Sequence, residues 1–159
     1  VTSGMGAHRM NVPKELAEYK LERAEIVVYL PADWNISDHE EKNYWPLRWL
    51  KILARLPLEE DSWLGWGHSV PNGKPFAENT QLSSVLLINP ENVEEGAAVC
   101  QLPNGEEVNF YQMIPLYEEE VNFKIQNGAE TLLGKMGEIS AVVDIHRLNV
   151  CEGFGRSKE

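Results

Sequence analysis

Cysteine is scarce, positive charge is outnumbered, and no long apolar run occurs. Only two cysteines are present, Cys100 and Cys151. Neither lies in a CxxC pair or a Cys/His ligand spacing, which excludes a sequence-evident zinc cluster or disulfide framework. Both are expected to be free, buried thiols in a reducing compartment. The longest apolar run is Ile26-Val27-Val28-Tyr29-Leu30, far short of the ~20 residues of a membrane-spanning helix. No basic start leads into an apolar core, as a secretory signal would. The expected location is the cytoplasm, with no membrane partner. The chain opens at Val1 on "VTSGMGAHRMN", which reads like the tail of a strand entering a loop. Part of the N-terminal region is therefore expected to be missing.

Lys and Arg total 14 against 25 Asp and Glu, a net charge of −11. Phosphate contacts need clustered cations, so nucleic acid is not an expected partner. An acidic protein suits a basic protein partner, or simply stays dissolved. The 159 residues suffice for one domain, and a chain of this size buries roughly 70% of its unfolded surface without staples.

The order of patterns is strand, helix, several strands, two helices, strand. "ERAEIVVYLP" (22–31) is β-branched and continuously apolar, the mark of a strand covered on both faces. Ser37-Asp38-His39-Glu40 has capping-box spacing. Pro46 suits a helix's first turn, so the main helix is expected to run from near Pro46 to before Pro57. Arg48, Lys51 and Arg55 form a basic stripe on it, expected as a solvated face that is also open to pairing with the acidic run Glu59-Glu60-Asp61 or with a partner's carboxylates. "SWLGWGH" (62–68) and "LSSVLLIN" (82–89) read as strands around the turn signal Asn72-Gly73. "AAVCQL" and "EVNFYQMIPL" flank a second Asn-Gly and read as a hairpin. Tyr117, Val121 and Ile125 begin a helical period, with Glu120 and Lys124 as an i,i+4 pair and Asn127-Gly128 as its end. The run Glu118-Glu119-Glu120 is expected to be a solvated helix start. "AETLLGKM" is a second short helix, and "ISAVVDIHRLNV" a last strand or extended segment. The expected architecture is a single α+β domain: a mainly antiparallel or mixed sheet with helices packed on it. It spans residues 1–152, with 153–159 a loose tail.

Chemistry is thinly signalled. No Gly-x-Ser-x-Gly elbow, HExxH, Walker loop or dinucleotide fingerprint occurs. A hydrolase or metal-dependent centre would have to be drawn from His68, Asp144 and His146, of which only two are neighbours in sequence. The expectation is no catalytic residue, no metal and no cofactor. The tryptophans carry more information. Trp45 and Trp49 are four apart and fall on one helical face, which assigns them to the core. Trp63 and Trp66, in "WLGWGHSVPNGKPF", would fall on opposite faces of a strand, so one of them either packs under the turn or stays exposed as a binding anchor. The partner-binding candidates are Trp63, Trp66, His68, Asn72, Gly73, Phe76 and Asn79.

Taken together, the segments resemble bacterial members of the suppressor-of-fused-like (SUFU) domain family. The resemblance is carried by "EIVVYLPADW" (25–34), "NYWPLRWLKILARLP" (43–57), "SWLGWGHSVPNGKPFAENT" (62–80), "SSVLLIN" (83–89), "NFYQMIPLYEEEVNFKIQNGAETLL" (109–133) and "VVDIHRLNV" (142–150). They run in the family's order over nearly the whole chain, and "YWPLRWLKILARLP" with "WLGWGH" and "PFAENT" is the most specific part. The resemblance implies an α+β fold and a non-enzymatic protein-binding role. Animal members restrain zinc-finger transcription factors of the Hedgehog pathway by holding a short peptide, partly by strand addition. Those members use a second, C-terminal domain as a clamp, and place an acidic residue where this chain has Gly67. Single-domain bacterial members are thought to include immunity proteins that neutralise toxins, many of them basic nucleases. The leading expectation is an interaction domain, with a toxin-neutralising immunity protein as its specific form. The alternatives are an enzyme built on His68, Asp144 and His146, and a regulatory module that binds peptides by strand addition.

Overall fold

The most apolar strand patterns become the middle of a mixed sheet. In a computed structural model, residues 1–91, 93–137 and 142–155 are described. The five strands are β1 (Ala24–Val27), β2 (Ser69–Pro71), β3 (Ser84–Ile88), β4 (Val99–Gln101) and β5 (Glu107–Leu116). Their order is β1-β5-β3-β2, with β4 paired to the start of β5. β1 runs parallel to β5, with Ile26 opposite Tyr111, and the other pairings are antiparallel. Leu102 accepts from the Gly105 N–H and donates to Glu106, closing the β4–β5 hairpin where the second Asn-Gly signal lies.

Because side chains alternate across a strand, β3 and β5 divide their residues between two cores. Val85, Leu87, Tyr111 and Met113 face one, together with Ile26 and the helix α1 (Glu41–Glu59) through Trp45, Trp49, Leu50 and Leu53. Leu86, Ile88, Ile114 and Leu116 face the other, against Val121 of α2 (Glu118–Asn127) and Leu132 and Met136 of α3 (Ala129–Met136). Helices thus cover both faces of the sheet, which explains why β3 is buried along its whole length. The α+β, mixed-sheet expectation holds.

Several local expectations do not. The main helix begins at Glu41 and passes through both Pro46 and Pro57 instead of lying between them. Proline costs a helix interior about 3 kcal/mol, but both prolines are themselves buried beside Trp45, Trp49 and Leu53. Packing of that face outweighs the local preference. The Ser37-Asp38-His39-Glu40 box does not form. Asp38 instead accepts from the Glu40 backbone N–H (3.0 Å) and the Asn43 side chain (2.7 Å), ordering the turn ahead of the helix. Arg48 pairs with Glu41, and Lys51 donates to the Tyr44 hydroxyl, so the basic stripe turns back toward its own helix start rather than to Glu59-Glu60-Asp61.

The stretch 62–68 is not a strand, and β2 starts only at Ser69. The expected last strand reduces, within the described residues, to one bridge between Val142 and Tyr29, followed by an irregular strap. Residues 139–141 of that stretch lie outside the described residues. Cys151 is buried as expected, but Cys100 is exposed on β4. In the segment expected to be loose, Phe154 packs edge-on against Phe123 with ring centroids 5.2 Å apart.

The strap is tied down by an ion pair that the sequence did not announce. Glu120, expected on a solvated helix start and paired with Lys124, is fully buried. Both its oxygens accept from the Arg147 guanidinium, one at 2.7 Å. They also accept from the Tyr117 backbone N–H (2.8 Å) and the Val150 N–H (3.2 Å). Arg147 donates further to the Pro115 carbonyl and lies over the Tyr117 ring.

Candidate protein-interaction site

The glycines of "WLGWGHSVPNGKPF" make a close-packed turn before β2. The Gly65 N–H donates to His68 Nδ1 (3.1 Å), and the His68 ring meets Trp63 edge-on at 4.4 Å. A Cβ at Gly65 would lie 2.7 Å from the Trp63 ring, so only glycine lets the indole and imidazole close on each other. Gly67 has φ +82°, a left-handed conformation that favours glycine, and its N–H donates to the Leu87 carbonyl (2.8 Å). The turn is thereby docked on β3. Burial, followed by the nearby Lys124 charge, lowers the His68 pKa below its ordinary 6.5. The neutral ring is the form that accepts from Gly65. Lys124, itself lowered by desolvation, donates to Ser69 Oγ (3.1 Å) and links α2 to the start of β2.

Trp63 therefore packs within the turn, while Trp66 is 40% exposed. The two tryptophans take the two fates that the sequence left open.

Past β2 the chain makes the Asn72-Gly73 turn, with Gly73 at φ +83°. The Asn72 N–H donates to Ser83, and the Phe76 N–H to Leu82. Thr80 is buried and holds the far side of the loop. Its hydroxyl donates to the Ile145 carbonyl in the strap (3.0 Å) and accepts from the Leu82 N–H (3.2 Å).

This loop stands between two open clefts. The first, about 1000 Å³, lies between it and the N-terminal half of α1, where Trp45, Trp49 and Phe76 meet a rim that includes Asn72 and Asn79. The second, about 750 Å³, lies between it, the start of α2 and the strap, and includes Gly73, Glu118, Glu119 and Arg147. Lys74, Pro75 and Gln81 line both. Of the sequence candidates, Asn72, Phe76 and Asn79 converge on the first cleft and Gly73 on the second. Trp63, Trp66 and His68 lie outside both. Sequence reading placed Trp45 and Trp49 in the core, where they are, but missed that they also line a cleft. The aromatic spacing on α1 was the signal for the face, and only the fold sets the loop opposite it.

The metal-dependent form of the enzymatic alternative is not assembled among the described residues. Among the described residues no three His, Cys, Asp or Glu side chains are grouped to hold a metal, so His68, Asp144 and His146 do not form such a centre. Asp144 and His146 are exposed in the strap, where the Asp144 carboxylate accepts from the His146 backbone N–H (3.0 Å). The partners of the His68 ring are Gly65, Trp63 and Lys124.

The two ends of the sheet path, β1 and β2, leave little free edge for strand addition. The outer side of β1 is occupied by Thr2, whose N–H donates to Ile26 O (2.8 Å) while its hydroxyl accepts from Ile26 N–H (2.8 Å). β2 ends the sheet, but it is three residues long and includes Pro71, which has no N–H to offer. Short, proline-bearing edges resist pairing with another chain.

A mixed sheet sandwiched by helices, with a buttressed loop between two clefts, defines a single α+β domain. The sequence model described as Suppressor of fused protein (SUFU) matches residues 1–148, and the chain belongs to the suppressor of fused family. It is 28% identical over 148 residues to the uncharacterized protein UU111 of Ureaplasma parvum serovar 3, covering 92% of this chain and 70% of that protein. Its fold is similar to that in the crystal structure of a Sufu–Fu complex, with TM-score 0.57 and 16% identity over 67% of this chain and 46% of that one. Drosophila Suppressor of Fused gives the same score and identity, with 25% of its chain covered. A SUFU homolog from Neisseria gonorrhoeae FA 1090 gives TM-score 0.55 and 22% identity, over 67% of this chain and 57% of that one. The chain thus spans between a quarter and somewhat over half of these solved structures, and the likeness to them is one of fold.

Proposed function

We propose that this chain is a non-enzymatic protein-binding domain of the cytoplasm whose contact surface is the loop 63–79 and the cleft walls beside it. The observation that carries the reading is the loop's placement. It is held by Gly67, Thr80 and Lys124 contacts on three sides, yet lends residues to two open clefts and leaves Trp66 exposed. A loop fixed before binding loses little conformational freedom on contact, and an exposed tryptophan is a favourable anchor. The net charge of −11 favours a basic protein partner, and a toxin neutralised by this chain as its immunity protein is the form we favour. The covered β1 edge and short β2 edge argue for side-chain recognition over strand addition.

The test is a photo-crosslinking capture from the native host, with a benzophenone amino acid placed at Asn79. A basic protein crosslinked at low salt, with yield falling as salt rises, supports the proposal. Absence of any crosslinked protein at either salt concentration overturns it. If the captured partner is toxic when expressed alone and harmless when co-expressed with this chain, the immunity form stands. If it is harmless alone, that form fails.

A further inference from the structure

The wall of the first cleft includes Trp45, whose ring N–H has no hydrogen-bond partner among the described residues. Trp45 is 1% exposed. Its neighbour Trp34, edge-on at 6.2 Å, is satisfied, donating Nε1–H to the Asn43 carbonyl at 2.8 Å. Leaving a buried donor unmet costs about 1–3 kcal/mol, and buried polar groups are almost always paired. The Trp45 ring is itself packed in an aromatic cluster. It stacks on Phe76 at 4.5 Å with planes 3° apart, and Trp49 meets Phe76 edge-on at 5.5 Å. All three rings belong to the wall of a cleft of about 1000 Å³, at the upper end of the size of pockets that take small ligands.

The charges on the rim largely cancel. Arg48 is paired with Glu41, and Lys42 lies 3.4 Å from Glu40. Lys74 and Glu78 remain, with opposite signs. A cleft of balanced charge does not select a charged ligand, whatever the field of the whole surface. The Asn79 and Gln81 amides, exposed on the loop side, each offer both a donor and an acceptor. That is the complement of a peptide backbone.

We infer that this cleft receives an uncharged segment of a partner polypeptide, with a backbone carbonyl accepting from Trp45 Nε1–H and an adjoining aromatic or branched side chain lying against Phe76 and Trp49. The inference rests on the reading of the chain as a protein-binding domain and gives that reading a recognition chemistry. Since the nitrogen is closed off from solvent, the carbonyl enters as the wall gives way.

The probe is N-acetyl-phenylalaninamide, an uncharged side chain flanked by two amide carbonyls. It is titrated into the full chain with 15N-labelled tryptophan. The expected result is a saturable downfield movement of the Trp45 indole N–H signal, with the Trp63 indole unmoved. Toluene, which has a ring and no carbonyl, leaves the Trp45 signal where it was. Trp45→Phe keeps a stacking ring and removes the donor, and weakens probe binding about 2- to 10-fold, the worth of one net hydrogen bond. A Trp45 signal that does not respond to the probe, or responds equally to toluene, overturns the inference and leaves a buried water as the acceptor. Equal probe affinity in a folded Trp45→Phe protein overturns it as well. The two readings fail separately. A crosslinked partner whose affinity is unchanged by Trp45→Phe sinks the cleft inference alone. A responsive indole with no crosslinked partner sinks the functional proposal alone.

Discussion

Replacing Arg147 by methionine removes the cation that neutralises Glu120, and the consequence follows from burial. Glu120 is fully buried, with Arg147 as its ion-pair partner. Methionine preserves much of the stem but leaves a carboxylate held by the Tyr117 and Val150 N–H groups, with no cation to neutralise it. Breaking a buried pair from one side costs about 3–5 kcal/mol. Total stabilities lie near 5–15 kcal/mol, so the variant loses roughly a third to a half of a mid-range value of about 10 kcal/mol. At about 2–4 °C per kcal/mol for a chain of this size, Tm falls by about 6–20 °C. Urea unfolding followed by tryptophan fluorescence reads the change as a lower midpoint at constant slope. Adding Glu120→Gln to Arg147→Met recovers part of the loss, because the amide is neutral and keeps an oxygen for the Tyr117 N–H. A loss under about 1 kcal/mol, or a double variant less stable than Arg147→Met, refutes the claim that an uncompensated buried charge is the cause.

Three further outcomes follow from the same contacts. Gly65→Ala puts a methyl group against the Trp63 ring and costs about 1–3 kcal/mol, as overpacking does, with an altered near-ultraviolet circular dichroism spectrum; an unchanged spectrum and midpoint contradict the packing described for the turn. His68 has a folded pKa below its unfolded value of 6.5, so the unfolded chain binds more protons and stability is fully present above pH 6.5 and lost as pH falls through it. His68→Asn keeps an acceptor for the Gly65 N–H without titrating, and its urea midpoint falls less than the wild type's between pH 7 and pH 5; parallel profiles contradict the assignment. Phe76→Ala removes the ring stacked on Trp45 and costs about 3–5 kcal/mol, whereas Phe76→Leu costs less and is the variant to carry into binding experiments.

The sheet was readable because its signals are long-range in effect but local in sequence. β3 and β5 are runs of apolar residues bounded by turn pairs, and Asn72-Gly73 and Asn104-Gly105 mark two of the reversals. The start of α1 was misread because Pro46 and Pro57 obey a local rule that buried packing overrides. The stretch 62–68 was misread as a strand because its aromatic content suits one. Its glycines instead serve the Trp63–His68 contact and the left-handed Gly67. Glu120 looked like one of three solvated carboxylates at a helix start. Its partner lies 27 residues away, and no spacing rule reaches that far. Half of the candidate site was legible in the same sense. The rare residues of "PNGKPFAENT" mark the loop, but the cleft needs α1 opposite it, and that is a property of the fold.

The central claim is that the loop 63–79 and the first cleft make the contact with a protein partner. The most direct measurement is the dissociation constant of the partner crosslinked at Asn79, compared between the wild-type chain and the folded variants Trp66→Ala and Phe76→Leu. Glu130→Gln on the exposed side of α3 serves as control. The account predicts at least about a tenfold weakening for Trp66→Ala, about 1.4 kcal/mol, a smaller weakening for Phe76→Leu, and no change for Glu130→Gln. Wild-type affinity in both loop variants contradicts it.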